Sequence, residues 1–478
     1  MTIRRRSLLG AAGAGLALAG LPLARARAEG DITAQLASYM AGAGAAKLPD
    51  EVVMACKLHV LDTFGAMVSG SRLQPGKEAI AYVKSLGGSP EASVVGTRLQ
   101  TNVVEAALAN AMCAHSDETD DFEASSKAHP GSSTVPAALA MAEWQGRDGV
   151  NFIRAVTLGY DLGCRLILAL GQASVRGHHR SAEGTSSTFC ALGGAAVPAG
   201  LDEMQMRYAI SYASQQVSGL WSWVEDSQHI EKSFDFAGMG ARNGVTAVSM
   251  VKAGMTGVSD VLDTEHNLFA AISLAPQPEL MVAGLGKDFY ITKTSIKAYS
   301  VGYPIQSVID ATLKLRKQYR LRPDDVKAIE VQLPTDAIGI VGASAMPDVN
   351  CPYIVAVALL KGRVSFKDAD DFAGMRYPEI LAQSAKVKVV ADQALMDPAA
   401  PRGAIVTITT NDGQQLQHFT KYPPGTVENP MSPDDVADKA RDLMGPVLGT
   451  QKTEGLIKAI MHLETLKDVR QLRGLIAA

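Results

Sequence analysis

The sequence lacks the signatures of several common protein classes. Its five cysteines include no CxxC pair, and their odd number in largely apolar surroundings argues against a disulfide framework and a zinc site. No GxGxxG follows a strand-like segment, and Walker, HExxH and GxSxG motifs are missing. These absences argue against dinucleotide binding, phosphate-loop chemistry, zinc proteolysis and serine hydrolysis.

Basic charge is also scarce once residues 1–28 are set aside. Their removal leaves 40 basic and 49 acidic residues, a net charge of about −9. The remaining chain has no Lys/Arg run of the nucleic-acid type and no membrane-length apolar segment, so we expect neither partner. With 47% hydrophobic residues in a 478-residue chain, there is material for two or three globular cores.

The pattern of residues 1–28 predicts an export signal. Three arginines precede a short Gly/Ala/Leu run, and Ala26-Arg27-Ala28 provides a small-residue cleavage site. Arg5 and Arg6 fit the twin-arginine form, which predicts a periplasmic protein exported in the folded state with reduced cysteines. An N-terminal membrane anchor is the alternative.

The rest of the chain predicts a mainly α protein with two domains. Apolar residues recur at helical spacing up to about residue 285, and Pro136 is placed just inside a helix start. From about residue 288, AIEVQL, AKVKVV and AIVTITTNDGQQLQHFTKY alternate with period two, and NDG predicts a hairpin. We therefore expect a large helical domain over 29–287, completed by 432–478, and a smaller α+β lid over 288–431.

The segment HSDETDDFEASSKAHPG, residues 115–131, holds two histidines, five acids and a lysine between two helical stretches. Such a segment suits a metal site, a solvated loop or a site for an organic acid. The nearby His178-His179 pair would point apart on a helix and makes poor metal ligands, so we expect no metal. His129 lies in a turn before a helix N-terminus, which favours binding of an anion. Its alternative role is that of a helix-capping turn residue.

Several isolated donors add to this pattern. Lys232 is flanked by aromatic and small residues, which suits a cavity as well as a solvated helix end. Lys297, Tyr299 and Tyr353 complete a set of donors able to surround a polyanion.

Four segments, KAHPGSSTVPAALAMAE, EKSFDFAGMGARNGVTA, KAYSVGYPIQSVIDA and CPYIVAVALLKGRVSF, resemble the MmgE/PrpD family in order and spacing. This family includes 2-methylcitrate dehydratase and cis-aconitate decarboxylase, with some isomerases and epimerases. The resemblance covers the whole chain after residue 28. It implies a helical domain with an α+β lid, a homodimer, and chemistry that needs no metal or organic cofactor.

The resemblance also implies roles for particular residues. It gives catalytic roles to His129, Lys232 and Tyr353. It gives substrate contacts to Glu118 or Asp120 (the aligned aspartate falls on one of them), Lys297, Gln306 and His179.

Two positions depart from the family pattern. Gln306 stands where many relatives carry a lid histidine, and a glutamine transfers no protons at neutral pH. Near a second family histidine the chain offers His178, His179 or Glu183.

Together these features predict a cofactor-independent lyase, a dehydratase or decarboxylase, acting on a di- or tricarboxylate. Proton removal or CO₂ loss next to a carboxylate builds charge that fixed donors stabilise in a dry cleft. His129 would bind substrate or relay protons, Lys232 and Lys297 would hold carboxylates, and Tyr353 would donate. The alternatives are a carboxylic acid isomerase or epimerase, and a non-catalytic exported binding protein on the same scaffold.

Overall fold

A computed structural model describes residues 31–342, 344–397, 400 and 402–478. The predicted signal, residues 1–28, lies outside the described residues. The chain is 60% helical and 9% strand, which confirms the mainly α class with a smaller α+β part.

Helices dominate residues 31–272. The helical part consists of α1 Ile32–Ala43, α2 Asp50–Gly70, α3 Gln74–Leu86, α4 Val103–Ala114, α5 Pro130–Gln145, α6 Gly149–Leu170, α7 Gln172–Gly177, α8 Ala182–Ala199, α9 Glu203–Ser214, α10 Ile230–Ser233, α11 Met239–Lys252 and α12 Leu268–Ile272. Three two-residue strands accompany them: β1 Ala92–Ser93, β2 Gln100–Thr101 and β3 Phe122–Glu123.

Small residues let these helices pack closely. A Cβ added at Gly193 of α8 would stand 2.6 Å from the Cα of Gly159 in α6, so neither position has room for a side chain. Among the described residues, one helix, α2, is long and apolar enough to cross a membrane, and 78% of its most apolar window is buried within the protein.

The helix that follows the acid-rich segment begins earlier than the sequence predicts. α5 starts at Pro130, and Pro136 lies inside the helix instead of at its first turn. The proline ring fixes φ at a helical value and lacks an N–H that the first turn would leave unbonded, so Pro130 is the better starting residue. His129 consequently occupies the N-cap position, directly at the positive end of α5.

The smaller part begins after β4, Thr294–Ser295, and is built on a four-stranded sheet in the order β6-β5-β7-β8. Its elements are α13 Tyr303–Gln318, β5 Val326–Leu333, α14 Ile338–Val341, α15 Cys351–Lys361, α16 Phe366–Ala369, α17 Pro378–Ser384, β6 Val387–Ala391, β7 Ala404–Thr410 and β8 Gln415–Thr420. β5 and β6 are parallel, while β7 and β8 form the predicted hairpin, with Thr409 opposite Gln415.

The buried apolar residues form two large separate cores. One draws on residues 36–296 and on the C-terminal helices α18 Pro433–Leu448, α19 Thr450–Met461 and α20 Arg473–Ile476. The other draws on residues 301–416. We call the second part the lid; the domain bounds expected from the sequence stay a prediction.

Candidate active site

The acid-rich segment 115–131 is buried and its carboxylates have partners, so it is not a solvated loop. Asp117 accepts hydrogen bonds from the backbone and hydroxyl of Thr119, at 3.0 and 2.7 Å. Asp121 accepts from the backbone of Gly131 at 3.0 Å and lies 2.8 Å from Nδ1 of His59. Such local acceptors fix the path of the segment between α4 and α5.

Two lysines converge on Glu118 and Asp120. Lys232 donates to Oε1 of Glu118, and Nζ of Lys297 lies 3.4 Å from both Oε2 of Glu118 and Oδ1 of Asp120. Burial acts to raise the pKa of both carboxyls, but nearby positive groups outweigh it. Lys232 and Lys297 hold the pKa of Glu118 well below its usual range. His115, His129 and Lys297 do the same for Asp120. Glu118 and Asp120 are therefore charged, and each lysine has a counter-ion.

Asp120 also orients two histidines. Its Oδ2 lies 2.7 Å from Nδ1 of His115, and its Oδ1 lies 3.1 Å from Nδ1 of His129. Because the carboxylate accepts, the Nδ1 atoms carry the protons and the Nε2 atoms are left as bases, by inference from these contacts. Burial lowers the pKa of His115, although Asp120 opposes this effect. We call this set of six side chains the paired cluster: His115, Glu118, Asp120, His129, Lys232 and Lys297.

The fold brings Lys297 to the cluster through a short strand pair. β3, within the acid-rich segment, pairs antiparallel with β4, so that Phe122 faces Ser295. Lys297 follows two residues later, and its Nζ also donates to the backbone oxygen of Glu118 at 3.0 Å. From the C-terminal part, Lys439 donates to the backbone oxygen of Thr119 at 2.9 Å. Segments distant in sequence thus brace the same loop.

Lys232 is presented by a local irregularity in the helices. α10 is one turn long and continues into a π-helical turn, Phe234–Gly238, before α11. Such turns often occur at functional sites. The ammonium of Lys232 lies 5.2 Å from the ring of Phe236 and 5.3 Å from that of Trp223, so cation–π contacts hold the charge in a largely apolar setting.

The cluster has the spacing, but not the charge, of a metal site. Ligand atoms of His115, Asp120 and His129, and of His115, Glu118 and His229, lie within 4.8 Å of one another. However, Glu118 and Asp120 are each held by lysine, and a cation would have to approach those ammonium groups. The donor set suits an anion better, and the absence of a metal stays a prediction.

Two adjoining cavities open beside the cluster, where the lid meets the helical part. One of about 270 Å³ is lined by Trp223, Lys232 and lid residues that include Ile338, Met346 and Val349. The other, of about 200 Å³, which we call the acid cavity, is lined by His229 and by three carboxyl groups: Asp117, Asp348 and Asp370. Met346 of the lid lines both.

Other cavities, of about 540 and 330 Å³, are larger. They lie near Lys439 and His59 respectively, and neither is lined by a member of the paired cluster. Size therefore does not select the site; the convergence of titratable side chains does.

In the acid cavity, carboxyl groups lack the lysine partners of the cluster. Burial raises the pKa of Asp117 to about 7. Burial and the neighbouring Asp371 raise that of Asp370 to about 6. For Asp348, burial and the nearby carboxylates of Glu118 and Asp117 raise the pKa well above its ordinary value. These groups retain protons at a pH where ordinary carboxyls are ionised.

Three residues expected at the site lie elsewhere. Gln306 donates to the backbone oxygens of Tyr299 and Val301 and accepts from the backbone of Tyr299, so it fixes the segment after Lys297. Tyr353 donates to the backbone oxygen of Asp368 at 2.7 Å, within the core of the lid. His179 is exposed, with a φ of 56°, in the turn after α7, so the His178-His179 pair is not helical as the sequence suggested.

The other five expected residues, Glu118, Asp120, His129, Lys232 and Lys297, are brought together. Sequence reasoning missed His115, His229 and Asp348. A signal existed for His229, which precedes Lys232 by three residues and so shares its side of a helical turn. Nothing near Asp348 in the sequence marks it, because the lid fold alone brings it to the helical part.

Comparison with known proteins identifies the family of the chain. Family models match the MmgE/PrpD N-terminal domain over residues 34–281 and the MmgE/PrpD C-terminal domain over residues 299–465. The chain therefore belongs to the MmgE/PrpD family.

Full-length relatives support a lyase at a coarse level. A cis-aconitate decarboxylase-like protein, oryM, of Aspergillus oryzae is 24% identical, with 94% of this chain and 98% of that protein covered. The cis-aconitate decarboxylases of Aspergillus terreus and Homo sapiens are each 24% identical as well. They cover 95% and 93% of this chain, and 97% and 94% of their own lengths.

Proposed function

We propose that this protein is a cofactor-independent lyase that removes CO₂ or water from a di- or tricarboxylate. The observation that carries the proposal is the paired cluster, a buried set of two lysines and two histidines held by two carboxylates at the junction with the lid. Cis-aconitate, named for relatives that cover nearly the whole chain, is the first substrate to test.

The two lysines suit the carboxylates of such a substrate. Lys232 and Lys297 are neutralised by Glu118 and Asp120. A substrate carboxylate that enters beside Lys232 takes over part of its contact with Glu118. Loss of CO₂ or of a proton then leaves an electron pair next to a carboxylate, and fixed ammonium groups stabilise that charge.

His129 supplies the basic atom of this reaction. Its Nδ1 faces Asp120, and it stands at the N-cap of α5, whose positive end favours an anion. In dehydration, Nε2 takes the proton from the carbon next to a carboxylate. In decarboxylation, the same atom orients the carboxylate that stays.

The experiment is incubation of purified protein with cis-aconitate, citrate and smaller dicarboxylates, followed by mass spectrometry. Loss of CO₂ or of water from any of them supports the lyase. Exchange of substrate hydrogen with solvent deuterium, without change in composition, would instead indicate an isomerase or epimerase. Binding without exchange or turnover would indicate a non-catalytic binding protein.

We also propose export by the twin-arginine route, on the strength of Arg5 and Arg6, the short apolar run that follows them and the Ala26-Arg27-Ala28 cleavage site. Replacing both by lysine should leave folded precursor in the cytoplasm, as judged by cell fractionation. Undiminished periplasmic protein from the double variant would overturn this proposal.

A further inference from the structure

The acid cavity holds groups suited to proton transfer that the function proposed above does not use. His229 enters it from the helical part and Asp348 from the lid, and both side chains are buried. The cavity adjoins the paired cluster, because Met346 lines it together with the cavity that contains Lys232. His229 is also close to the cluster itself: its ring centroid lies 5.2 Å from that of His115, and one of its ring nitrogens lies within 4.8 Å of a carboxylate oxygen of Glu118.

His229 is in an unusual state for a buried histidine. It is 5% exposed, and neither of its ring nitrogens has a hydrogen-bond partner among the described residues. Its φ is 61°, a left-handed conformation that non-glycine residues adopt at some cost in free energy. An imidazole left unpaired in this way destabilises the fold unless something in the cavity bonds to it, and water or a ligand is what a cavity provides.

The surroundings of His229 keep it neutral. Burial is the main cause that lowers its pKa, and the charges of Lys232 and His115 act in the same direction against Glu118 and Asp120. A neutral imidazole carries one N–H and one free lone pair, so it can accept a proton at one nitrogen and release another.

Asp348 is the complementary group. It lies in a one-turn 3₁₀ helix, Pro347–Val349. The backbone N–H of Gly302, in the segment after Lys297, donates to the backbone oxygen of Asp348 at 3.0 Å. Its carboxyl makes no hydrogen bond with another described residue, and it faces Glu118, Asp117, Lys232 and Asp370. A carboxyl group that stays protonated beside a substrate site is a proton donor.

We propose that Asp348 is the proton donor of this enzyme and that His229 passes protons between Asp348 and water in the acid cavity. The proposal rests on the lyase function above and assigns the step that the paired cluster leaves open. Gln306, which replaces the lid histidine of many relatives, cannot donate a proton in this way. Asp348 would supply the acid from a different turn of the lid.

The proton balance closes for both lyase reactions. In decarboxylation the C–C bond to the leaving carboxylate breaks, CO₂ departs, and the remaining electron pair takes the proton of Asp348. Water then returns a proton to Asp348 through His229. In dehydration His129 takes the proton from carbon, Asp348 protonates the departing hydroxyl, and the proton on His129 is released to solvent while Asp348 is reloaded through His229.

The test uses two variants on different parts of the protein. Asp348→Asn keeps the size of the side chain and removes the proton donor. His229→Gly suits the positive φ and leaves space for an added imidazole. The matched controls are Asp324→Asn, at an exposed position of the lid, and His266→Asn, at an exposed position of the helical part.

With cis-aconitate as the probe, kcat of Asp348→Asn should fall by about 10²–10⁴, the usual range for a positioned acid, while the calorimetric Kd stays close to that of the wild type. We expect the kcat of the wild type to decline at high pH, where Asp348 loses its proton, and the residual activity of Asp348→Asn to lack this decline. Asp348→Glu should recover part of kcat. His229→Gly should lose about tenfold or more in kcat and regain it when imidazole is added, whereas Asp348→Asn should not respond to imidazole.

The outcomes separate this inference from the proposed function. An active wild type with unchanged kcat in both variants overturns the inference and leaves the lyase standing. A wild type that is inactive with every carboxylate tested overturns both the proposed function and this inference. If one variant melts far below the wild type, the other still decides, because the two residues lie in different parts of the protein.

Discussion

Two neighbouring carboxyl groups, Asp117 and Glu118, show how differently one buried segment treats the same chemistry. Both are buried, and burial acts to raise the pKa of each. Glu118 faces Lys232 and Lys297, and its pKa falls well below the ordinary value. Asp117 has no lysine in contact among the described residues, only Thr119, and its pKa rises to about 7.

The contrast extends to the two sites on either side of this pair. In the paired cluster the charges of two carboxylates balance those of two lysines, so the lysines can exchange one anion for another. In the acid cavity the carboxyl groups hold protons and His229 lacks hydrogen-bond partners among the described residues, so these groups can deliver protons. Burial is shared by both sites; the partner brought by a distant segment decides which role each carboxyl takes.

The strongest way to disturb this contrast is to remove a lysine from the cluster. Lys297→Met leaves Glu118 with one lysine and Asp120 with none, although both stay buried. Loss of one partner from a buried ion pair typically costs about 3–5 kcal/mol of stability, and carboxylate binding should be lost as well. Chemical denaturation and calorimetry with cis-aconitate measure both effects.

The control for this variant is Lys293→Met, four residues earlier in the chain, where the side chain is half-exposed and Asp288 lies 3.8 Å away. It should change stability by no more than about 1 kcal/mol, as exposed ion pairs do. Equal effects from the two substitutions would show that the charge of Lys297 is not specifically needed.

His129→Ala should separate rate from stability. The ring of His129 makes no capping hydrogen bond to α5. When this ring is removed, Asp120 still has His115 and Lys297 as partners. We expect a fall in turnover of about 10²–10⁴, the range for a positioned acid or base, and a loss of stability of at most about 1–2 kcal/mol. A variant that melts far lower while its folded fraction keeps full activity would make His129 structural.

A smaller effect on activity is expected at Gln306, which fixes the segment after Lys297 but does not enter the site. Gln306→Leu leaves backbone groups of Tyr299 and Val301 without partners, at a cost of about 1–3 kcal/mol. Because the side chain contacts the segment after Lys297, kcat should fall less than in His129→Ala. Gln318→Leu, at an exposed position of the same helix, is the matched control, and a loss of activity equal to that of His129→Ala would place Gln306 in the chemistry after all.

The extent of sequence-based prediction follows the same division between local and distant contacts. Helical periodicity and the NDG hairpin were enough to predict the fold class. The resemblance carried by the four motifs assigned Glu118, Asp120, His129 and both lysines to one site, and the structure brings these five together. Those signals lie within single segments. Gln306 and Tyr353, although they lie in the motifs, instead form hydrogen bonds with backbone groups. No sequence pattern distinguishes a tyrosine that faces substrate from one that donates to a neighbouring backbone oxygen.

Asp348 could not be predicted for a related reason. Its turn carries no histidine, glycine pattern or charge run, and its position depends on how the lid rests against the helical part. The helix start at Pro130 was missed because two prolines, at 130 and 136, both fit a first turn, and only the surrounding packing allows the second to lie inside the helix.

A substitution at Asp117 tests the protonated side of the contrast directly. In the folded protein Asp117 holds its proton up to about pH 7, whereas the unfolded chain loses it near pH 4, so stability falls as pH rises through this window. Asp117→Asn keeps both bonds to Thr119, since its oxygen accepts from the backbone and its amide donates to the hydroxyl, but it has no proton to lose. The variant should therefore be more stable than the wild type at pH 8, by at most about 4 kcal/mol for a pKa that rises from near 4 to about 7, and indistinguishable from it below pH 4. Thermal melts across this range, with Asp324→Asn as the exposed control, measure the difference. A variant that is less stable at pH 8 would mean that Asp117 is ionised and paired like Glu118, and the distinction between the two halves of the site would fail.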